Sequence, residues 1–261
     1  MREWNADSYH QVSTPQFDWG TAVLERLALD GDELVLDVGC GTGRLTEKLL
    51  ERLPRGRAVG IDLSSNMLQV AGDFLRPRFG SRIQLVLADA ARLPVVAAAD
   101  AIFSTATFHW VRDHAQLFRS LYAALKPGGR VVAQCGGGPN IARLHDRAAA
   151  LMEEPTFAPH FTSWRDPWEF ADTATTNRRL EQAGFEAIRT SLVPAPLVQP
   201  DAQAFQTFIT TVICHPHLAH LASPALRDAF VQDLTRKASS DNPPFELDYW
   251  RLNIEARKPA D

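Results

Sequence analysis

Val35-Leu36-Asp37-Val38-Gly39-Cys40-Gly41-Thr42-Gly43 is the stretch that decides the architecture. A β-prone apolar run passes directly into glycines at alternate positions, and helical spacing follows. Leu45, Leu49, Leu50 and Leu53 recur at i, i+4, i+5 and i+8, with Pro54 closing the segment. Glycines between a strand and a helix let the backbone turn sharply and approach a ligand at the helix N-terminus. The same alternation continues outward. Apolar β-prone runs stand at 34–37, 58–62, 83–88, 101–105 and 130–135. Met67, Leu68, Ala71 and Leu75 line one face of a second helix, for which Ser64 is the expected N-cap. Leu117, Leu121, Ala124 and Leu125 line a third, before Lys126-Pro127-Gly128-Gly129, read as a stop and a turn. Strands alternating with helices imply parallel βαβ units, and strands covered on both faces need no strict polar alternation.

The expected fold is therefore α/β: a doubly wound, mostly parallel, Rossmann-like sheet with a helical cap inserted late in the chain. Leu144, Ala148 and Leu151 keep helical spacing, and a stretch rich in Trp, Phe and Pro follows. A helix at 178–183 ends in Gly184, a strand follows near 185–193, 194–200 reads as a linker, and a final strand is expected at 249–258. One domain spans 1–261, with an N-terminal arm (1–30) over the ligand and a ligand-binding core at 31–138. Cap insertions fall at 139–177 and 201–245, and the last strands of the sheet at 178–200 and 246–261.

Composition narrows the function. The net charge is -4, which provides no basic field for a phosphate backbone. The expectation is no nucleic-acid partner. Three cysteines (Cys40, Cys135, Cys214) without CxxC spacing argue against a disulfide framework or a structural zinc, and for a reducing cytoplasm. No metal is expected. Residues 1–10 lack the apolar core of a signal peptide, and no apolar run approaches the roughly 18 residues of a membrane span. His215, His217 and His220 are interrupted by Pro216 and read as an incidental surface grouping.

Spacing separates the candidate ligands. Asp62, about 20 residues beyond the glycines, suits the two hydroxyls of a ribose, which fits nicotinamide, flavin and adenosylmethionine sites alike. The dinucleotide fingerprint is GxGxxG. Counted from Gly39 its third glycine falls on Arg44, and counted from Gly41 it falls on Thr46, so the motif is GxGxG. Asp89, after the third strand, is placed for an adenine amino group.

Five elements in order, LDVGCGTG at 36–43, GIDLSSNML at 60–68, ADA at 88–90, FHWVRD at 108–113 and LKPGGR at 125–130, resemble the class I S-adenosylmethionine-dependent methyltransferases. The resemblance implies a seven-stranded sheet and S-adenosyl-L-methionine as cofactor, with S-adenosyl-L-homocysteine as product. It implies that Asp37, Gly39, Cys40 and Gly41 serve the amino acid part and Asp62 the ribose. Asp89 serves the adenine between Leu63 and Met67, and Ala90 and Thr105 are also expected to bind the cofactor. More narrowly, Trp4-Asn5, Tyr9 and HWVRDH at 109–114 are similar to the trans-aconitate methyltransferase group, which more often has glutamine where this chain has His109.

Transfer of a methyl from a sulfonium needs alignment and, for some acceptors, a base. His109 is the candidate base or substrate partner. Tyr9, Gln11, Trp110 and Trp164 are substrate candidates, and Arg143 and Arg165 are candidates to pair an acidic substrate. Phe157, Phe161, Trp164, Trp168 and Phe170 belong to the acceptor pocket or to the core of the cap. The leading expectation is O-methylation of a carboxylate or hydroxyl of a small molecule by a cytoplasmic monomer or homodimer. The rivals are an N- or C-methyltransferase with His109 as base, and a non-catalytic adenosylmethionine-binding regulator.

Overall fold

The computed structural model describes residues 14–261. Strands β1 (Leu34–Val38), β2 (Arg57–Asp62), β3 (Ile83–Leu87), β4 (Ala99–Thr105) and β5 (Leu125–Gly136) pair in parallel. Near the other edge β9 (Trp250–Arg257) runs antiparallel to β5. With β6 (Glu186–Pro194) last, the seven strands stand in the order β3-β2-β1-β4-β5-β9-β6. The order reverses between β1 and β4, and the carboxyl ends of strands at such a switch point form a natural ligand crevice.

Alternation along the strands explains the two layers of packing. Val35, Ala101, Phe103 and Val132 face helices α1 (Thr14–Arg26), α2 (Arg44–Glu51) and α3 (Ser65–Phe79), meeting Val23, Leu27, Leu49, Leu50, Ala71 and Leu75. Leu36, Ile102, Val131 and Ala133 face the other way. They meet Leu117, Phe118 and Leu121 of α4 (His114–Ala124) and Leu180 of a helix at Thr173–Gln182. Side chains in this core are almost all inaccessible, and each buried Val, Leu, Ile or Phe contributes roughly 1.5–3 kcal/mol.

Two features depart from the sequence reading. Leu125 pairs with Ala99, but the next pairing is Arg130 with Ala101. Lys126-Pro127-Gly128-Gly129 is thus a bulge inside β5 rather than a stop before it. The helix read at 178–183 begins earlier, at Thr173, because Asp172 caps it by accepting from Thr175 N at 2.7 Å.

The chain divides into two compact units, one comprising the sheet and its flanking helices and the other Pro139–Pro167 with Pro194–Trp250. The second unit contains α5 (Ala142–Glu153), the helix at Thr173–Gln182 being α6 of the first. It also contains a two-strand ladder of β7 (Leu197–Val198) and β8 (Glu246–Leu247). Its remaining helices are α7 (Ala202–Phe208), a π turn at Ile209–Ile213, α8 (His215–His220) and α9 (Pro224–Ala238). Residues 168–177, read from sequence as part of the insertion, join the sheet unit instead. Ala171 O accepts from Gly138 N at 3.0 Å, and Glu169 N donates to His109 O at 2.9 Å.

Candidate active site

At the carboxyl ends of β1, β2 and β4 lies a cavity of about 440 Å³. Gly39 and Gly41 contribute its floor, and the backbone explains why they are glycines. Gly39 has φ +81°, and a Cβ there would fall 1.9 Å from Thr107 Oγ1. The turn after β1 thus passes directly under the turn after β4. Gly39 N and Cys40 N both donate to Ile61 O, at 2.7 and 3.0 Å, tying the loop to β2. Gly41 has open space where a side chain would stand.

Asp62 ends β2 and braces the same loop. Its Oδ2 accepts from Gly41 N at 2.9 Å and its Oδ1 from Ser64 N at 2.9 Å. Asp89 follows β3 and accepts from Ala91 N through Oδ1 at 2.9 Å. Leu63, Met67, Ala88 and Ala90 supply apolar walls, with Leu63 48% exposed at the rim. A polar turn, a braced carboxylate and flanking apolar surfaces match the amino acid, ribose and base of an adenosyl ligand.

Eight of the sequence-expected residues line this cavity: Gly39, Gly41, Asp62, Leu63, Met67, Asp89, Ala90 and Thr105. Trp110, expected as a substrate contact, lines it too. Asp37 and Cys40 do not. Asp37 is buried beneath the loop and accepts from Thr46 Oγ1 at 2.6 Å. Burial, partly offset by the Thr46 hydroxyl and reinforced by the charge of Asp62, raises its carboxyl from 3.8 to about 7. Cys40 turns onto Gly60 of β2. Burial, with the charges of Asp37 and Asp62, pushes its thiol well above the usual range, so it is no nucleophile.

His109 is also absent from the cavity lining. Its Nδ1 accepts from Gly136 N at 3.2 Å, and its ring stacks on Phe170 at 5.8 Å. Trp110 lies 5.4 Å from His109 and 5.4 Å from Trp168. Trp168 and Phe170 therefore belong to an aromatic cluster of the sheet unit. Phe157, Phe161 and Trp164 belong to the second unit, packed around Phe230 and His217. Trp164 stacks on His217 at 4.6 Å. His217 is only 3% exposed, so the histidine group read as a surface feature is in part core. Arg143 does not stand ready for an acidic ligand: it is ion-paired with Asp241, Glu246 and Asp248. Tyr9, Gln11 and the Trp4-Asn5 pair lie outside the described residues.

Ala106, Thr107, Val111, Arg112 and Asp113 also line the cavity; the sequence placed the first two in the segment after the fourth strand and the last three in the FHWVRD element, but gave none of them an individual role. Ala106 adopts φ +53°, a left-handed conformation uncommon for a residue with a side chain. Its amide donates to Gln134 O at 2.8 Å, which fixes the turn. The conformation of Ala106 has no local sequence signal, because it depends on which strands become neighbours.

Fold and site together define an S-adenosylmethionine-dependent methyltransferase of class I. A model of the methyltransferase domain family matches residues 35–129. A trans-aconitate 2-methyltransferase of Methylobacterium radiotolerans is 34% identical over 99% of both chains. That of Acidovorax ebreus is 29% identical over 91% of this chain and 89% of its own. The chain belongs to the methyltransferase family that includes these proteins. Among solved structures, a Haemonchus contortus phosphoethanolamine N-methyltransferase 2 bound to phosphomonomethylethanolamine and S-adenosylhomocysteine shares the fold. It gives a TM-score of 0.64 at 19% identity, covering 97% of this chain and 57% of that one. The cofactor is S-adenosylmethionine. Among the described residues no helix is long and apolar enough to cross a membrane.

Proposed function

We propose that this enzyme methylates a carboxylate of a small, multiply charged organic acid of the trans-aconitate type. The observation that carries this reading is 34% identity sustained over 99% of both chains with a trans-aconitate 2-methyltransferase. The cavity supports it. A carboxylate acceptor carries no proton that has to leave, so the chain would need to supply no base. His109, the candidate base for a nitrogen or carbon acceptor, is stacked on Phe170 and engaged by Gly136 N instead of lining the cavity.

In this reading the chain does the work of alignment. Asp62, fixed from two sides by backbone amides, holds the ribose hydroxyls. Asp89 meets the adenine amino group, and Leu63, Met67 and Ala90 sandwich the base. Gly39 and Gly41 present backbone to the amino acid part, and Thr105 with Trp110 borders the acceptor. When bound, the cofactor supplies an already activated methyl group, so rate depends on orientation and exclusion of water.

Two experiments test the reading in sequence. Calorimetric titration should give micromolar binding of S-adenosylmethionine and S-adenosylhomocysteine and none of NADH. Incubation with radiolabelled S-adenosylmethionine and trans-aconitate should then yield a product whose label is released as methanol by mild alkali. An alkali-stable product would move the acceptor to a hydroxyl oxygen, nitrogen or carbon, and transfer only to amines would move it to nitrogen.

A further inference from the structure

His114 is the first residue of α4 and is 1% exposed. Its Nε2 stands 2.9 Å from the carbonyl oxygen of Phe108. A carbonyl only accepts, so Nε2 bears the proton and Nδ1 is bare. That Nδ1 is buried and has no hydrogen-bond partner among the described residues. The Phe108 oxygen also accepts from Val111 N at 2.9 Å, so two donors converge on one carbonyl. Phe108 itself is fully buried and packs edge-on to Phe118 at 6.3 Å, while the His114 ring lies 5.7 Å from the same Phe118. The start of α4 thus reaches back to the start of the preceding turn. Trp110, Val111, Arg112 and Asp113, which lie between them, all line the cavity.

Packing alone does not account for an imidazole here. A buried acceptor without a donor costs free energy that a phenylalanine or leucine would avoid. What the imidazole adds is one hydrogen bond, aimed at the residue where the cavity wall begins. Protonation would place a second N–H in the core with nothing to receive it. Burial accordingly lowers the His114 pKa from its usual value; the Phe108 carbonyl opposes this, Arg179 of α6 adds to it, and Glu169 and Asp113 oppose it.

We propose that His114 is a positioning residue for methyl transfer, whose neutral Nε2–H clamps the Phe108 carbonyl and so sets the 110–113 wall against the adenosyl ligand. This rests on the cavity being the cofactor site.

The test titrates S-adenosylhomocysteine into wild type, His114→Gln, His114→Asn and Asp62→Ala, with folding checked by circular dichroism at the same temperature. The glutamine amide nitrogen stands as many bonds from Cβ as Nε2 and can donate to Phe108, whereas that of asparagine stops short. His114→Gln should bind within about threefold of wild type, and His114→Asn roughly tenfold more weakly, the size of one lost hydrogen bond. If His114→Asn fails to fold, His114→Leu, which fills the same buried space without a donor, takes its place and should show the same weakening. Wild-type affinity in His114→Asn or His114→Leu, or equal losses in the glutamine variant and the variant without a reaching donor, would overturn the inference. Asp62→Ala binding as tightly as wild type, or no binding by wild type, would instead overturn the cavity assignment, and the inference with it.

Discussion

Asp37 sits directly beneath the glycine turn, and its carboxyl is raised from 3.8 to about 7, chiefly by burial. A carboxyl whose pKa is higher in the folded than in the unfolded chain favours folding below about pH 4. That contribution is lost as pH rises through about 7. Asp37→Asn keeps an acceptor for the Thr46 hydroxyl and never ionises. The variant should therefore melt close to wild type near pH 4 and increasingly above it toward pH 8, and a gap independent of pH would contradict the raised pKa. Asp62→Ala should lose roughly 2–5 kcal/mol of cofactor affinity, because a ribose forfeits charge-assisted hydrogen bonds; calorimetry reading an unchanged dissociation constant would misplace the site. Gly39, Gly41, Asp62 and Asp89 were legible because each belongs to a short motif whose spacing reflects one βα turn. Thr107 was not, since its hydroxyl meets Gly39 only after β1 and β4 have paired across 68 residues of chain. Nor does spacing say which way a side chain points, and Asp37 and Cys40 both turn under the loop.

At the scale of elements, α3 begins where the chemistry begins. Ser64 Oγ accepts from Met67 N at 3.3 Å, closing the first turn two residues after Asp62. Ser64→Ala should cost about 1 kcal/mol of stability. In a protein of this length that lowers the melting temperature by roughly 2–4 °C in a thermal scan; a larger fall accompanied by lost cofactor binding would mean that the cap also shapes the ribose site. The Ser64 cap, the helical faces and the buried strands were readable, because apolar period and capping chemistry are local. The bulge at 126–129 misled for a physical reason. Lys-Pro-Gly-Gly is a turn by propensity, and it remains an excursion, but Lys126 pairs with Asp100 at 2.7 Å and Gly128 N donates to Lys258 O at 3.1 Å. Those long-range contacts return the chain to the same strand partner. The π turn at Ile209–Ile213, where Cys214 N donates to Ile209 O at 2.6 Å, likewise has no periodic signature.

For the whole molecule a buried histidine should contribute to the behaviour in acid. His217 is lowered from 6.5 to about 3 by burial, with His145, His220 and His215 adding to the effect. A base held neutral in the fold contributes stability above about pH 6.5, and that contribution drains away as pH falls toward about 3. His217→Phe retains a ring to stack on Trp164 and has nothing to protonate. Its melting temperature should fall less steeply than that of wild type between about pH 6.5 and pH 4, and parallel curves would assign the acid sensitivity elsewhere. The mostly parallel character of the sheet followed from the alternation of strands and helices, and its seven strands from the family resemblance. The boundary of the second unit did not, because residues 168–177 are fixed by backbone bonds to His109 and Gly138 that no composition shift announces. One of the chain's indoles, Trp110, stands in the cavity wall, 5.4 Å from Trp168. An indole in that wall is an optical reporter for the proposed cofactor cavity: its ultraviolet emission should dim or shift as an adenine-bearing ligand binds, and replacing Trp110 with phenylalanine should silence the signal, giving a label-free titration of occupancy before any acceptor has been identified.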